Sequence, residues 1–340
     1  MTIRNAAWKL CGALALALAF AGGTARAGEI TVYTALEEDD VRVYLAEFAK
    51  AKPDIKVNLL RLSTGDLVAR ILAEKANPRE DVIWGTAVTQ LSDPRILEMA
   101  EPYKPAGIDA VKTAFKDPQN RWFATTGYFA GFCVTTEVLA KKNLPMPSSW
   151  QDLLNPVYKG QIVMPNAASS GTGYLMIVSL LQMKGEEKGW QFLQDLDKNI
   201  AQYIKSGSRP CKMAAAGEYA IGLSFAFSGV KQIMEGYPVK LVIPSEVAGY
   251  EIEVSMLMKT AKNKADAKQF LDWLLTLDAA KLYGERSEMS SVPGAKATPA
   301  VLKAGLPADV STVLYKGMDF NASAKNKDAI LAERKKRFER

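Results

Sequence analysis

Between Glu29 and Gly85 the chain repeats one layout, and this repetition constrains the fold more than any other feature. EITVYT reads as a β-branched strand that runs into the acidic start EEDD of a helix, VRVYLAEFAKAKP, whose apolar residues recur at helical spacing. IKVNLLRL is a second strand, STGD a turn with hydroxyl caps, and LVARILAEKANP a second helix closed at Asn77-Pro78. DVIWG is a third strand ending at Gly85. Strands alternating with helices predict a parallel sheet covered on both faces, with ligands taken at the carboxyl ends of the strands. Those ends carry Thr34 to Asp39, Ser63 to Gly65 and Trp84 to Ala87.

The middle of the chain differs. WFATTGYFAGFCVTTEVL is aromatic, Gly-rich and extended, which suits strands crossing from one lobe to another and a hinge. KGQIVMPNAASSGTGYLM is another strand-turn-helix, and EYAIGLSFAF a strand whose end is lined by Ser224, Phe225 and Phe227. After VKLVIPSEVAGYEIEVSMLMK, helical patterns return in ADAKQFLDWLLTLDAAKLYGE. There is no tandem repeat and no low-complexity linker, so two interleaved lobes are expected. Residues 28–126 form the first part of lobe one, 127–250 form lobe two, and 251–340 return to lobe one and end in helices.

Arg4 and Lys9 precede the apolar run Ala13 to Phe20, and Ala25-Arg26-Ala27 supplies a small-x-small cleavage signal. Residues 1–27 therefore read as an export signal cut after Ala27. Cys11 lies ahead of the apolar run, the wrong place for a lipid-anchored cysteine, and no later segment has the roughly 18 consecutive apolar residues of a membrane helix. A soluble exported protein follows. Removing the signal removes Arg4, Lys9 and Arg26 and no acid, lowering the formal charge from +6 to +3. The remaining basic residues are dispersed except in the tail ERKKRFER, a pattern that excludes a nucleic-acid surface.

Histidine is absent, which excludes Ser-His-Asp hydrolysis and His-ligated zinc. No metal-ligand cluster or activated nucleophile is evident, so an enzyme, a metal site and a cofactor are not expected. Cys133 and Cys211 remain after signal removal. An even pair in an oxidising compartment is a disulfide candidate, and two buried thiols are the alternative.

The stretch NAASSGTGYLMIVSLLQM, Asn166 to Met183, sets Ser169, Ser170, Gly171, Thr172 and Gly173 before a largely apolar run. Small residues allow a close backbone approach, hydroxyls donate, and the first amides of a buried helix lack intrahelical partners. Such a cluster is an anion seat or an ordinary N-cap. No Lys follows the second glycine as a Walker A loop requires, and Met176 replaces the third glycine of a dinucleotide fingerprint.

The ordered set TVYTALEEDD, RLSTGDLVARILAEKANP, DVIWG, SSWQDLLNPVYKGQIVMPNAASSGTGYL and NIAQYIKSGSRPCKMAAAGEYAIGLSF, behind an exported start, resembles a known family. It is similar to the periplasmic solute-binding proteins of ABC importers of the ferric-iron-binding type, and most of all to their 2-aminoethylphosphonate-binding branch. The resemblance covers nearly all of the mature chain. It implies an α/β fold of two lobes closing on a ligand, as in type II periplasmic binding proteins, an inner-membrane ABC permease as partner, and a monomer. It places the ligand among Glu37 and its neighbours, Ser63-Thr64-Gly65, Trp84-Gly85, Tyr128, Ser169 to Gly173, and Ser206 to Ser208. The seat in lobe two then faces a second seat, Ser63-Thr64-Gly65, across the cleft.

A tetrahedral oxyanion there receives several charge-assisted hydrogen bonds of roughly 1.5–3 kcal/mol each, and up to about 2 kcal/mol from a helix terminus. Against several kcal/mol of association cost, this leaves the ~8 kcal/mol of a micromolar binder. No lysine or arginine is required. The family's iron-binding members use an adjacent tyrosine pair where this chain has Phe225-Ala226-Phe227, and phenyl rings cannot ligate iron. The ligand expected is 2-aminoethylphosphonate or a related small phosphonate, ahead of a phosphate ester, another organic anion or ferric iron. In the branch, the segment here reading SFAFSG carries an acidic and a basic residue where this chain has Ala226 and Ser228. The amine is therefore expected at Glu37, Asp39 or Glu253, and the acidic neighbours Glu38 and Asp40 are assigned to the helix dipole. A Cys133–Cys211 bond is expected in lobe two.

Overall fold

A computed structural model describes residues 28–338. The export signal expected at 1–27 lies outside them. The strands in chain order are β1 Gly28–Thr34, β2 Ile55–Arg61, β3 Val82–Ala87, β4 Ala100–Glu101, β5 Phe123–Thr135 and β6 Ile162–Pro165. They continue with β7 Ile200–Ile204, β8 Ile221–Phe225, β9 Val239–Val242, β10 Tyr250–Met258 and β11 Met289–Ser290. The sheet path is β2-β1-β3-β10-β5-β8-β6-β7, with β4 on β10 and both β9 and β11 on β5.

The two ends of this path are parallel, β2-β1-β3 in one lobe and β8-β6-β7 in the other. The middle is antiparallel, which differs from the wholly parallel sheet that the strand-helix alternation predicts: β10 runs against both β3 and β5, and β5 against β8. The reason is that β5 and β10 are crossover strands. Phe123 to Phe129 of β5 pair with β10 in lobe one, and Ala130 to Val134 pair with β8 in lobe two. Antiparallel neighbours need no helical crossover between them, so strands that pass from one lobe to the other can pair with either lobe's sheet directly.

Each lobe has its own core. In lobe one the helix Glu38–Ala51 buries Val41, Tyr44 and Phe48 against Trp84, Phe270 and Trp273, in edge-to-face aromatic contacts. Its other sheet face buries Leu67, Val68 and Ile71 of the helix Thr64–Ala73. In lobe two the helix Gly171–Lys184 is buried continuously from Gly171 to Leu181, which explains an apolar run without a polar stripe.

The C-terminal helices do not return to lobe one alone. Val301, Ala304 and Leu306 pack with Phe129, Phe227 and Val230, and Phe338 lies in the lobe-two core with Trp150 and Tyr158. Lys327 reaches back to Asp93 of lobe one at 3.6 Å. Helical periodicity shows that these segments bury one face, and cannot show against what. The strand read in EYAIGLSFAF stops at Phe225, and Ala226–Met234 is a helix. Cys133 and Cys211 form a disulfide across lobe two, with their Cα atoms 5.2 Å apart. No helix among the described residues is long and apolar enough to cross a membrane.

Candidate functional site

Several helices begin at the cleft between the lobes. On the lobe-one side Ser63 precedes the helix Thr64–Ala73 and makes no side-chain cap, so the first amides of that helix are not taken up by their own N-cap residue. On the lobe-two side Ser170 Oγ accepts from Gly173 N–H at 3.3 Å, a single long cap bond that does not involve the amides of Gly171 and Thr172.

The two loops touch. Gly65 N–H donates to Ser169 O at 2.8 Å across the cleft. A Cβ at Gly171 would stand 2.7 Å from Thr64 Oγ1 and 2.9 Å from the Tyr128 hydroxyl, and one at Gly207 would stand 2.5 Å from Thr172 Oγ1. Glycine at these places lets hydroxyls from three segments crowd around one point. Burial holds the Tyr128 hydroxyl well above its ordinary range, so it stays a donor.

Most of the residues expected from sequence meet here. Glu37, Ser63, Thr64, Tyr128, Ser170, Gly171, Thr172, Phe225 and Glu253 line the cleft. Others stand behind it. Ser169 Oγ donates to Lys205 O at 3.1 Å, Ser208 Oγ donates to Glu37 Oε2 at 3.0 Å, and Ser206 Oγ lies 3.2 Å from Ser208 Oγ. Gly65 and Gly173 contribute backbone contacts alone. Asp39 pairs with Lys231 at 3.1 Å, outside the lining. Trp84 is a correction: its ring lies in the lobe-one core, 5.3 Å from that of Phe270, and its neighbour Gly85 faces the cleft. Alternate residues of a strand point to opposite faces, and the ring took the apolar one.

Sequence reading assigned no arginine to the site. Arg61 and Arg286 both line the cleft. Arg61 donates to Leu36 O at 2.9 Å and pairs with Glu37 at 3.3 Å. Arg286 pairs with Asp40 at 3.3 Å, and its Nε is buried without a partner among the described residues. Asp40 is therefore more than a helix-dipole residue: Lys231 from lobe two pairs with it at 2.6 Å. Arg61 was findable as the last residue of a strand beside Ser63. Arg286, Ser287 and Glu288 lie in ERSEMSS, which has no local signature.

Glu253, on β10, carries no cationic partner among the described residues. Its Oε2 accepts from Thr126 Oγ1 at 2.6 Å. Burial pushes its carboxyl up to about 7, the Thr126 hydroxyl offsets part of this, and Asp40 and Glu37 raise it further. Glu251, fully buried, outside the cleft lining and bonded to the Thr89 hydroxyl, is pushed up to about 8 by the same burial. The arrangement offers amides and hydroxyls in one region and, at Glu253, a carboxyl group whose hydrogen-bond partner is a hydroxyl in another.

A two-lobed α/β protein with a polar cleft at its hinge is, by fold and site, a ligand-binding protein of the periplasmic type. Residues 96–309 match the family model described as bacterial extracellular solute-binding protein. The chain belongs to that family. It is 32% identical over 284 residues to a Haemophilus influenzae protein described as uncharacterized, covering 81% of each chain. It is 26% identical over 332 residues to the probable ABC transporter periplasmic-binding protein y4fP of Sinorhizobium fredii, covering 94% of this chain and 88% of that one.

Among solved structures it is similar to the periplasmic binding protein AfuA of Actinobacillus pleuropneumoniae, solved with fructose-6-phosphate bound. The TM-score is 0.83 at 27% identity, over 92% of this chain and 99% of that one. The apo ferric ion-binding protein A of Pasteurella haemolytica shares the fold, with a TM-score of 0.75 at 20% identity over 92% of this chain and 98% of that one.

Proposed function

We propose that this protein is the exported solute-binding component of an ABC importer, and that its cleft takes a small phosphonate or phosphate monoester, with 2-aminoethylphosphonate the first candidate. One observation carries the reading: helix starts from opposite lobes, Thr64–Ala73 and Gly171–Lys184, meet across the cleft with hydroxyls and glycines at their tips. Helix N-termini favour anions through their dipoles and through amides that the caps leave free, here those of Gly171 and Thr172 on the lobe-two side. AfuA, at 27% identity, was solved with a phosphate monoester bound, which supports the phosphorus-oxyanion class. Phe225 and Phe227 present rings to the cleft and have no atom that ligates iron.

The amine end is assigned to Glu253. Glu37 is occupied by Arg61 and Ser208, and Asp39 by Lys231, whereas Glu253 faces the cleft with Thr126 as its hydrogen-bond donor. In this reading residues 1–27 direct export and are cut after Ala27, the two lobes are built on 28–126 and 127–250, residues 251–340 return to lobe one and end in helices that pack on both lobes, and a permease receives the ligand from a monomer.

Thr172→Ala removes one donor and leaves the loop amides. It is expected to weaken 2-aminoethylphosphonate and ethylphosphonate alike by roughly 1.5–3 kcal/mol, about ten- to a hundredfold. Glu253→Gln is expected to weaken the aminated ligand and spare ethylphosphonate. Calorimetric titration of both ligands into both variants checks this. Equal losses for the two ligands in Glu253→Gln would remove the amine assignment. Unchanged affinity in both Thr172→Ala and Ser170→Ala would reduce the loop to a helix cap.

A further inference from the structure

A third helix starts at the cleft and is finished differently from the other two. Helix Ala226–Met234 follows Phe225, which gives it no side-chain cap, and Phe225 and Phe227 both line the cleft. The Phe227 N–H donates instead to Glu288 Oε1 at 2.6 Å, and Glu288 Oε2 accepts from Phe129 N–H at 2.5 Å. Glu288 is 4% exposed and lies 61 residues beyond Phe227 in sequence. It comes from the segment that follows the lobe-one helix Leu277–Arg286, so a carboxyl group carried by lobe one stoppers a helix of lobe two.

We propose that Glu288 is a specificity-determining residue that occupies this third helix N-terminus in place of a ligand oxyanion, so that the cleft accepts an anionic group at one end only. The proposal rests on the reading of the Ser63–Gly65 and Ser169–Gly173 loops as the anion seat. Free helix amides are ready donors to an anion. With Glu288 seated, the Phe227 and Phe129 amides are spent, and the wall they belong to presents carboxyl oxygens. Glu253 adds another carboxyl to the cleft lining, and the nearby guanidinium of Arg286 is drawn to Asp40 at 3.3 Å. A second anionic group brought against Glu288 would be buried without amide donors, which is costly. An ammonium or hydroxyl group meets acceptors there. The ligand class is thus a phosphonate or phosphate monoester whose far end is cationic or a neutral donor, and phosphono-carboxylates are excluded.

The test uses three phosphonates of matched length, with aminoethyl, propyl and carboxymethyl groups, titrated into the wild-type protein, Glu288→Gln and Glu288→Ala. The wild-type protein is expected to favour the amino over the carboxy ligand by about 100-fold or more, and the variants to narrow that ratio by about tenfold, with the carboxy ligand gaining affinity outright. A second readout does not depend on the phosphonate: acetate should raise the melting temperature of Glu288→Ala in a dose-dependent way, and by more than it raises that of the wild-type protein, by refilling the vacated amides. A ratio unchanged in both variants, or no acetate effect on Glu288→Ala, overturns the proposal. If Glu288→Ala does not fold, Glu288→Gln, which keeps the side-chain volume, decides through the ligand ratio. If the wild-type protein binds no phosphonate, the anion-seat reading falls, and the acetate response alone decides whether Glu288 fills a site that an anion can occupy.

Discussion

Gly65→Ala is expected to abolish tight ligand binding while leaving the ligand-free protein as stable as before or more so. Gly65 is the second residue of the helix Thr64–Ala73, and a Cβ there would stand 2.1 Å from Ala168 O and 2.9 Å from both Ala168 C and Ser169 Cα. All three atoms are backbone of the opposite lobe, and none can swing aside as a side chain could. The same approach carries the 2.8 Å bond from Gly65 N–H to Ser169 O, so the methyl group removes a cross-lobe bond as well as adding a clash. With the lobes apart the methyl meets none of these atoms, and in a helix Ala is favoured over Gly by up to about 1 kcal/mol. Affinity should therefore fall by about 100-fold or more, ~2.7 kcal/mol, with an unchanged or raised melting temperature. Gly171→Ala, whose Cβ meets the Thr64 and Tyr128 hydroxyls, should be milder because side chains can shift. Titration and melting of Gly65→Ala check the expectation, and wild-type affinity in this variant would show that binding does not bring the two lobes together at this point.

The second large effect is on stability. Cys133 on β5 and Cys211 on the helix Arg209–Ala215 are both fully buried and close a loop with a sequence separation of 78. A loop of this length constrains the unfolded chain by roughly 4.5 kcal/mol in the chain-entropy account, within an observed range of about 0–5. The paired Cys133→Ala, Cys211→Ala variant should lose most of that, since the two alanines also leave the volume of two sulfurs unfilled. Denaturant unfolding of the exported wild-type and variant proteins measures the difference. Thiol labelling of the denatured, unreduced wild-type protein should find no reactive cysteine among the two. Two labelled thiols per chain, or equal stability of the variant, would contradict the bond's role.

What the sequence disclosed of the site divides along physical lines. Ser63, Thr64, Ser170 and Thr172 were legible because helix capping is local chemistry: a hydroxyl-glycine cluster ahead of an apolar run announces a helix start whatever surrounds it. Glu37 was legible as the end of a strand, and the crossover near Tyr128 as an unusually long aromatic strand, β5, that changes partners after Phe129. Arg286 and Glu288 were not legible. They reach the cleft because the chain folds back against β5 through β11, a contact between residues 289–290 and 126–127 that no local pattern encodes. Trp84 was misplaced because a one-residue alternation decides whether a side chain faces core or cleft, and the sequence fixes that phase only when the neighbouring sheet is known. The antiparallel middle of the sheet escaped for the same reason. Short strand-helix units specify their own crossovers, whereas β10 returns to lobe one after an excursion through the whole of lobe two.

The central claim is that a phosphorus oxyanion is held between the Thr64 and Gly171 helix starts while the far end of the ligand meets carboxyl groups. A calorimetric panel tests it most directly: 2-aminoethylphosphonate, ethylphosphonate, a neutral hexose, a plain amino acid and ferric citrate titrated into the purified exported protein. The account predicts micromolar or tighter binding of 2-aminoethylphosphonate, ~8 kcal/mol or more, weaker binding of ethylphosphonate, and no binding of the other three. Tight binding of the neutral hexose with none of either phosphonate would contradict it.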